Sequence, residues 1–231
     1  MLSAARILTA SGVVFVLLAT SGIATAQRID TRSVISVLER NRKSLQNYEW
    51  KSRMETSLDG QTVASSLSSA RYDANGKVLK EPIDVESSKP SPLRPVRRRK
   101  AKKLGKKVER IRQGLVDLIG SYIEIDTGNL QAAFRDARVT EGSSGGLTLI
   151  RTRNVIRTGD QMKILVDPGT LAPRRFEIVT SLEGEPVQLR TEFVDMELGP
   201  TYPARIVVET EIKEKKMVIT TENFDHARID P

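Results

Sequence analysis

An α+β fold with one large antiparallel sheet, its apolar face covered by helices, is predicted by three observations. Between Gln161 and Phe224 five consecutive runs alternate apolar with polar residues at a period of two, the pattern of half-buried strands. Turn chemistry separates the runs at Asp167-Pro168-Gly169, Glu183-Gly184-Glu185-Pro186, Gly199-Pro200-Thr201-Tyr202-Pro203 and the cluster from Lys213 to Lys216. Segments with helical spacing are grouped before and between the runs of strands, which is the α+β arrangement.

Taken in order, Met1–Ala26 reads as a secretory signal peptide. It has Arg6 in its n-region, an apolar stretch from Val13 to Ala19, and Ala24-Thr25-Ala26 as a small-x-small cleavage site before Gln27. The apolar stretch is short and interrupted for an anchor. With no cysteine there is neither a lipobox residue nor a disulfide framework, so a periplasmic or otherwise secreted monomer with one ordinary core is expected. The remaining residues, 27–231, suit a single domain.

Asp30 is a helix cap and Ile29 can staple onto Val34, so Val34, Ile35, Leu38 and Leu45 predict an amphipathic helix over 31–45. Next, Tyr48, Trp50, Met54 and Leu58 alternate with Glu49, Lys51, Arg53 and Glu55 in a strand. Asp59-Gly60 returns the chain along 62–72, and Asn75-Gly76 turns it back over 77–83. The proline- and serine-rich stretch from Asp84, continuing into basic residues to about 103, is expected to be a linker. Leu104, Val108, Ile111, Leu115, Leu118 and Tyr122 then step by three or four into a helix, despite Gly105 and Gly114. A short helix over about 127–137 follows, then strands near Val139 and over 147–156.

The formal charge of +8 is local. Between Arg94 and Arg112 there are eleven basic residues and one acid, Glu109; without them and Arg6 the rest of the mature chain stands at −3. Arg97, Arg98, Arg99, Lys100, Lys102, Lys103, Lys106 and Lys107 are therefore candidates for contact with an anionic membrane surface, the other reading being a solvated linker and helix face. No aromatic residues are interleaved among them, so base stacking and a nucleic-acid partner are not indicated.

Catalytic chemistry finds little support. Cysteine is absent, and the one histidine, His226, lies near the end and is expected to be exposed and structural. The carboxylate pairs Glu124/Asp126, Asp195/Glu197 and Glu209/Glu211 read more simply as solvated side chains. No spacing for a metal or phosphate loop is present, so no enzyme activity, metal or cofactor is expected. A transmembrane β-barrel is disfavoured by the helical segments and by charges close to both strand faces.

The Tyr48-Glu49-Trp50-Lys51 strand, the Asp59-Gly60 hairpin, and Ile164-Leu165-Val166-Asp167-Pro168 followed by Pro173-Arg174-Arg175-Phe176 resemble the LolA/LolB/LppX-like superfamily of bacterial envelope lipoprotein and lipid carriers. The resemblance implies a curved, incomplete β-barrel whose concave apolar face is closed by helices, a cup that holds acyl chains. The basic insertion and the missing anchor cysteine depart from that pattern. Arg53, the nearest match to a lid-latching arginine of the carriers, falls on the strand face opposite Trp50 and Met54, so the role is not transferred.

The expected function is non-enzymatic binding of a lipid or lipoprotein acyl chain, as carrier or sensor. Candidate lining residues are Trp50, Met54, Leu67, Met162, Ile164, Phe176, Ile178, Phe193, Ile206 and Val208. The alternative is an envelope adaptor whose cup is filled by its own helices and whose basic segment attaches it to an anionic surface.

Overall fold

The structure, a computed structural model, describes residues 29–83, 95–143, 145–212 and 214–229; the side chains of 95–105, 107 and 143 lie outside that set. The expected signal peptide and the first part of the linker, 84–94, fall outside the described residues. So do the side chains of the basic candidates other than Lys106, which is exposed.

Helix α1 (Thr31–Leu45) starts where Asp30, in extended conformation, accepts a 3.1 Å hydrogen bond from Arg32 N. Val34 is buried and Ile29 packs at the margin of the core. Strands β1 (Tyr48–Leu58) and β2 (Gln61–Tyr72) are joined by Asp59 and Gly60, whose φ values of 51° and 78° give the turn hand that matches strand twist. β3 (Val78–Pro82) pairs back on β2. Helix α2 (Pro95–Ile123) and helix α3 (Thr127–Phe134) follow, then β4 (Arg138–Ser143), β5 (Leu147–Arg153), β6 (Gln161–Val166), β7 (Pro173–Leu182), β8 (Glu185–Asp195), β9 (Thr201–Ile212) and β10 (Lys215–Arg228).

These strands form one open antiparallel sheet of ten, in the order β3-β2-β1-β10-β9-β8-β7-β6-β5-β4. The pairing of β1 with β10 joins two meanders into one surface, and α2 and α3 carry the chain from the β3 edge to the β4 edge. The register aligns the alternating residues in rows. One row runs through Met162, Ile178, Leu189, Val208, Ile219 and Thr56; its neighbour runs through Ile164, Phe176, Thr191, Ile206, Thr221 and Met54. Both rows lie on the inner face, under α2.

Ile111, Leu115, Leu118 and Tyr122 of α2 are buried at helical spacing, which is why this helix lies against the sheet. Two polar clasps fix the helices. The Asn41 side chain of α1 accepts from Thr201 N at 2.8 Å and donates to Thr201 O at 2.5 Å, and Tyr122 of α2 bonds Asp160 in the turn before β6. The outer face carries exposed ion pairs such as Lys51–Asp225 at 3.0 Å and Lys216–Glu209 at 2.7 Å, which contribute little to stability.

Two boundaries differ from expectation. α2 begins at Pro95, so the basic run from Arg97 is helical, where a linker to about residue 103 was expected. Proline suits a first helical turn, where its missing N–H has no partner to lose. β9 begins at Thr201, within the expected Gly199–Pro203 break; a register shift between Glu192 and Phe193 lets Pro203 enter the strand without a lost ladder bond.

Candidate functional site

The parity of β1 turns Trp50, Ser52 and Met54 inward, and the register places Thr221 and Asn223 of β10 and Ile206 of β9 beside them. Between this floor and α2 lies a cavity of about 370 Å³. Its roof is made by Val116, Ile119, Gly120 and Ile123 of α2, and Lys80, Asp117 and Glu124 add charged groups to its lining. At Tyr72, Ile123 and Pro203 it meets a narrower space of about 70 Å³ that reaches Phe176 and Phe193, beside Arg42 of α1. The two Phe rings contact each other with centroids 4.5 Å apart.

Trp50 anchors one end. Its ring lies 5.3 Å from that of Tyr72 and stacks on His226 at 5.9 Å with a 14° interplanar angle, and Tyr202 closes on the other side of His226 at 3.9 Å. A β-bulge brings His226 inward: the β1–β10 register shifts between Glu49 and Lys51, with Asp225 at φ 52°. Burial pushes the His226 imidazole down to about 4, against the opposing pull of Asp225, so the ring is neutral at ordinary pH. Burial, reinforced by Glu124, raises the Tyr72 phenol to about 12. Desolvation draws the Lys80 ammonium below its usual range, with Glu124 opposing. Glu124 also accepts from Val78 N at 3.1 Å, tying α2 to β3.

The two glycines in the cavity half of α2 differ. A Cβ on Gly120 would meet no atom within 4 Å, whereas one on Gly114 would lie 3.1 Å from Leu182 Cδ2. Packing therefore accounts for Gly114, while Gly120 stands over open space.

Of the residues singled out in the sequence, Trp50, Met54 and Ile206 line the larger cavity, and Phe176 and Phe193 the narrower one. Met162, Ile164, Ile178 and Val208 share their face but are closed into the core beneath the helices. Leu67 is a correction: it pairs with Arg53 on the outer face, because β2 turns its small residues inward and packs Ala70 opposite Trp50. His226 is a second: the bulge and two aromatic neighbours make it half-buried instead of exposed. Arg53 is on the outer face, 4.0 Å from Glu222 and over the Phe224 ring. The carboxylate pairs are engaged in structure: Asp126 caps α3, Asp195 bonds Arg174 and Thr201, and Glu209 pairs with Lys216.

Tyr72, Arg42 and the α2 wall were not singled out beforehand. The helical stripe predicted a helix, but nothing local told which of its faces would stand over open space.

No family model matches the chain, and no curated protein matches its sequence. Among solved structures it is similar to a LolA superfamily protein from Nitrosomonas europaea, at 13% identity over 88% of this chain and 94% of that one, with a TM-score of 0.42. It is also similar to MucB in complex with MucA(peri), at 9% identity over 87% and 100% of the two chains, with a TM-score of 0.25.

Proposed function

We propose that this is a non-enzymatic binding protein that holds an acyl chain of a lipid or lipoprotein between α2 and the inner face of β1, β10 and β9, as carrier or sensor. The observation that carries the reading is the cavity of about 370 Å³ floored by Trp50, Met54 and Ile206 and roofed by Val116, Ile119 and Ile123. Its size is in the range of small-molecule sites, and its apolar lining with few polar groups is their usual chemistry. The signal-like Met1–Ala26 segment supports action outside the cytoplasm.

Trp50 is the sole tryptophan, so it reports on the cavity directly. Fatty acid brominated along its chain is expected to quench Trp50 emission in delipidated protein. Gly120→Leu, which fills the open space above the floor, is expected to abolish the quenching while far-UV circular dichroism stays unchanged. Folded wild-type protein that is not quenched overturns the reading.

A second reading is favoured by one observation: the basic run and the cavity roof are parts of one continuous helix, α2. Its basic end is suited to an anionic membrane surface, at about 1 kcal/mol per basic residue near the lipid and with strong salt weakening. Co-sedimentation with vesicles containing an anionic phospholipid, at low and high salt, tests it. Binding that survives replacement of Arg97, Arg98, Arg99 and Lys100 by serine counts against it.

A further inference from the structure

We infer that the narrow space beside α1 holds a carboxylate between the Arg42 guanidinium and the Tyr72 phenol, so that the chain in the larger cavity is that of an unesterified fatty acid. This rests on the acyl-binding reading and narrows it.

Arg42 is half-buried and lines the space of about 70 Å³. Its Nη1 donates to the Ile125 carbonyl at 3.3 Å, and its Nε is buried with no partner. Among the described residues no carboxylate stands within ion-pair distance of it; Glu39 lines the same space and makes no such pair. A charge withdrawn from water is normally paired, and one long bond to a carbonyl does not neutralise a guanidinium. The last turn of α1 suits a cation through the helix dipole, but the neighbouring Lys43 supplies one while fully exposed. The dipole therefore does not explain why Arg42 borders an apolar space.

Tyr72 is the second donor. Its ring lines both spaces and is held 5.3 Å from that of Trp50. Its hydroxyl bonds to no described residue, and the Arg42 charge acts on it. Since burial raises this phenol to about 12, it keeps its proton and can donate at ordinary pH. Nε of Arg42 is closed off, so recognition falls to Nη2 and to the Tyr72 hydroxyl, neither of which is enclosed. These are two donors beside one positive charge. A carboxylate accepts from both and cancels the charge; an ester carbonyl would accept and leave the charge uncompensated.

The rest of the narrow space is apolar, with Leu38, Phe176 and Phe193 among its walls. It adjoins the larger cavity at Tyr72, Ile123 and Pro203, so an acid group at Arg42 sends its chain past Tyr72 and under Ile123 toward Trp50. Lys80, the cation of the larger cavity, has Asp117 and Glu124 beside it in the same lining. Arg42 is the cation of this pair of spaces that a bound anion would complete.

The test uses the delipidated protein and two probes, lauric acid and its methyl ester, with binding followed by calorimetry and by Trp50 emission. Wild type is expected to bind the acid about tenfold more tightly or better, the effect of hydrogen bonds to a charged group. Arg42→Gln is expected to remove the preference while leaving binding of the ester unchanged. Tyr72→Phe, which keeps the ring against Trp50, is expected to reduce the preference in part, and Arg42→Lys, which keeps the charge, to retain most of it. Equal binding of acid and ester by wild type overturns the inference and leaves the acyl-binding reading standing. So does a preference that survives in Arg42→Gln, or an equal weakening of both probes there, which would make Arg42 a purely structural tie to Ile125. Binding of neither probe by wild type overturns both.

Discussion

The phenol of Tyr122 donates a hydrogen bond to the carboxylate of Asp160, and both residues are buried. Asp160 also accepts from Thr180 Oγ1 at 2.6 Å and from Arg157 N at 2.7 Å, so one carboxylate joins α2, β7 and the turn before β6. Tyr122→Phe removes one donor from this network and is expected to cost about 1–3 kcal/mol in urea unfolding. Asp160→Ala, which strands both the phenol and the Thr180 hydroxyl, is expected to cost more. An equal loss in the two variants would show that Tyr122 is the only productive partner.

Alkaline stability follows from two phenols. Burial, followed by Asp160, holds Tyr122 well above the usual phenol range, and burial raises Tyr72 to about 12. Folded values above the ordinary value of 10 mean that the unfolded chain ionises first. Their contribution is fully present below about pH 10 and is lost as pH rises through the folded values. Thermal unfolding is expected to show Tm falling above that point, and Tyr72→Phe is expected to make the fall shallower.

His226 works on the acid side. Its folded value of about 4 lies below the ordinary 6.5, so the unfolded chain takes up the proton first as pH falls. Stability is fully present above about pH 6.5 and declines toward pH 4, by ~1–2 kcal/mol after discounting for a half-buried ring. His226→Phe keeps the stack on Trp50 and is expected to remove this part of the acid loss, with Trp50 emission steady across the range.

The helix glycines separate packing from openness. Gly120→Ala is expected to stabilise the protein by about 0.5–1 kcal/mol, since a helical alanine replaces a glycine without meeting a neighbour. Gly114→Ala is expected to gain less in the same denaturant titration, because Leu182 must give way.

Strands, turns and both short helices were legible because each is written in a local signal: alternation from Met162 to Ile178, the Asp59-Gly60 turn, the Asp30 cap. What was not legible depends on partners far along the chain. Leu67 is the largest apolar residue near the middle of β2, and periodicity alone would turn it inward; pairing with β1 turns Ala70 inward, because that is the side on which Trp50 needs room. Met162 and Ile206 obey the same alternation and both are buried, yet of the two Ile206 lines the cavity, a distinction set by where α2 crosses. His226 could not be placed without the bulge in the pairing of β1 with β10.

The pairing of β1 with β10 sets when the protein can be finished. These two strands lie side by side in the sheet although they stand at opposite ends of the described chain, and until the last one arrives there are only a three-stranded and a seven-position fragment, the second lacking its final member. Contacts of such long sequence separation are slow to form, and the exposed flank of β1 could pair wrongly in the interval. Synthesis of the C-terminal strand is therefore the commitment step of folding. A chain that ends before Lys215 should stay open to proteases and chaperones.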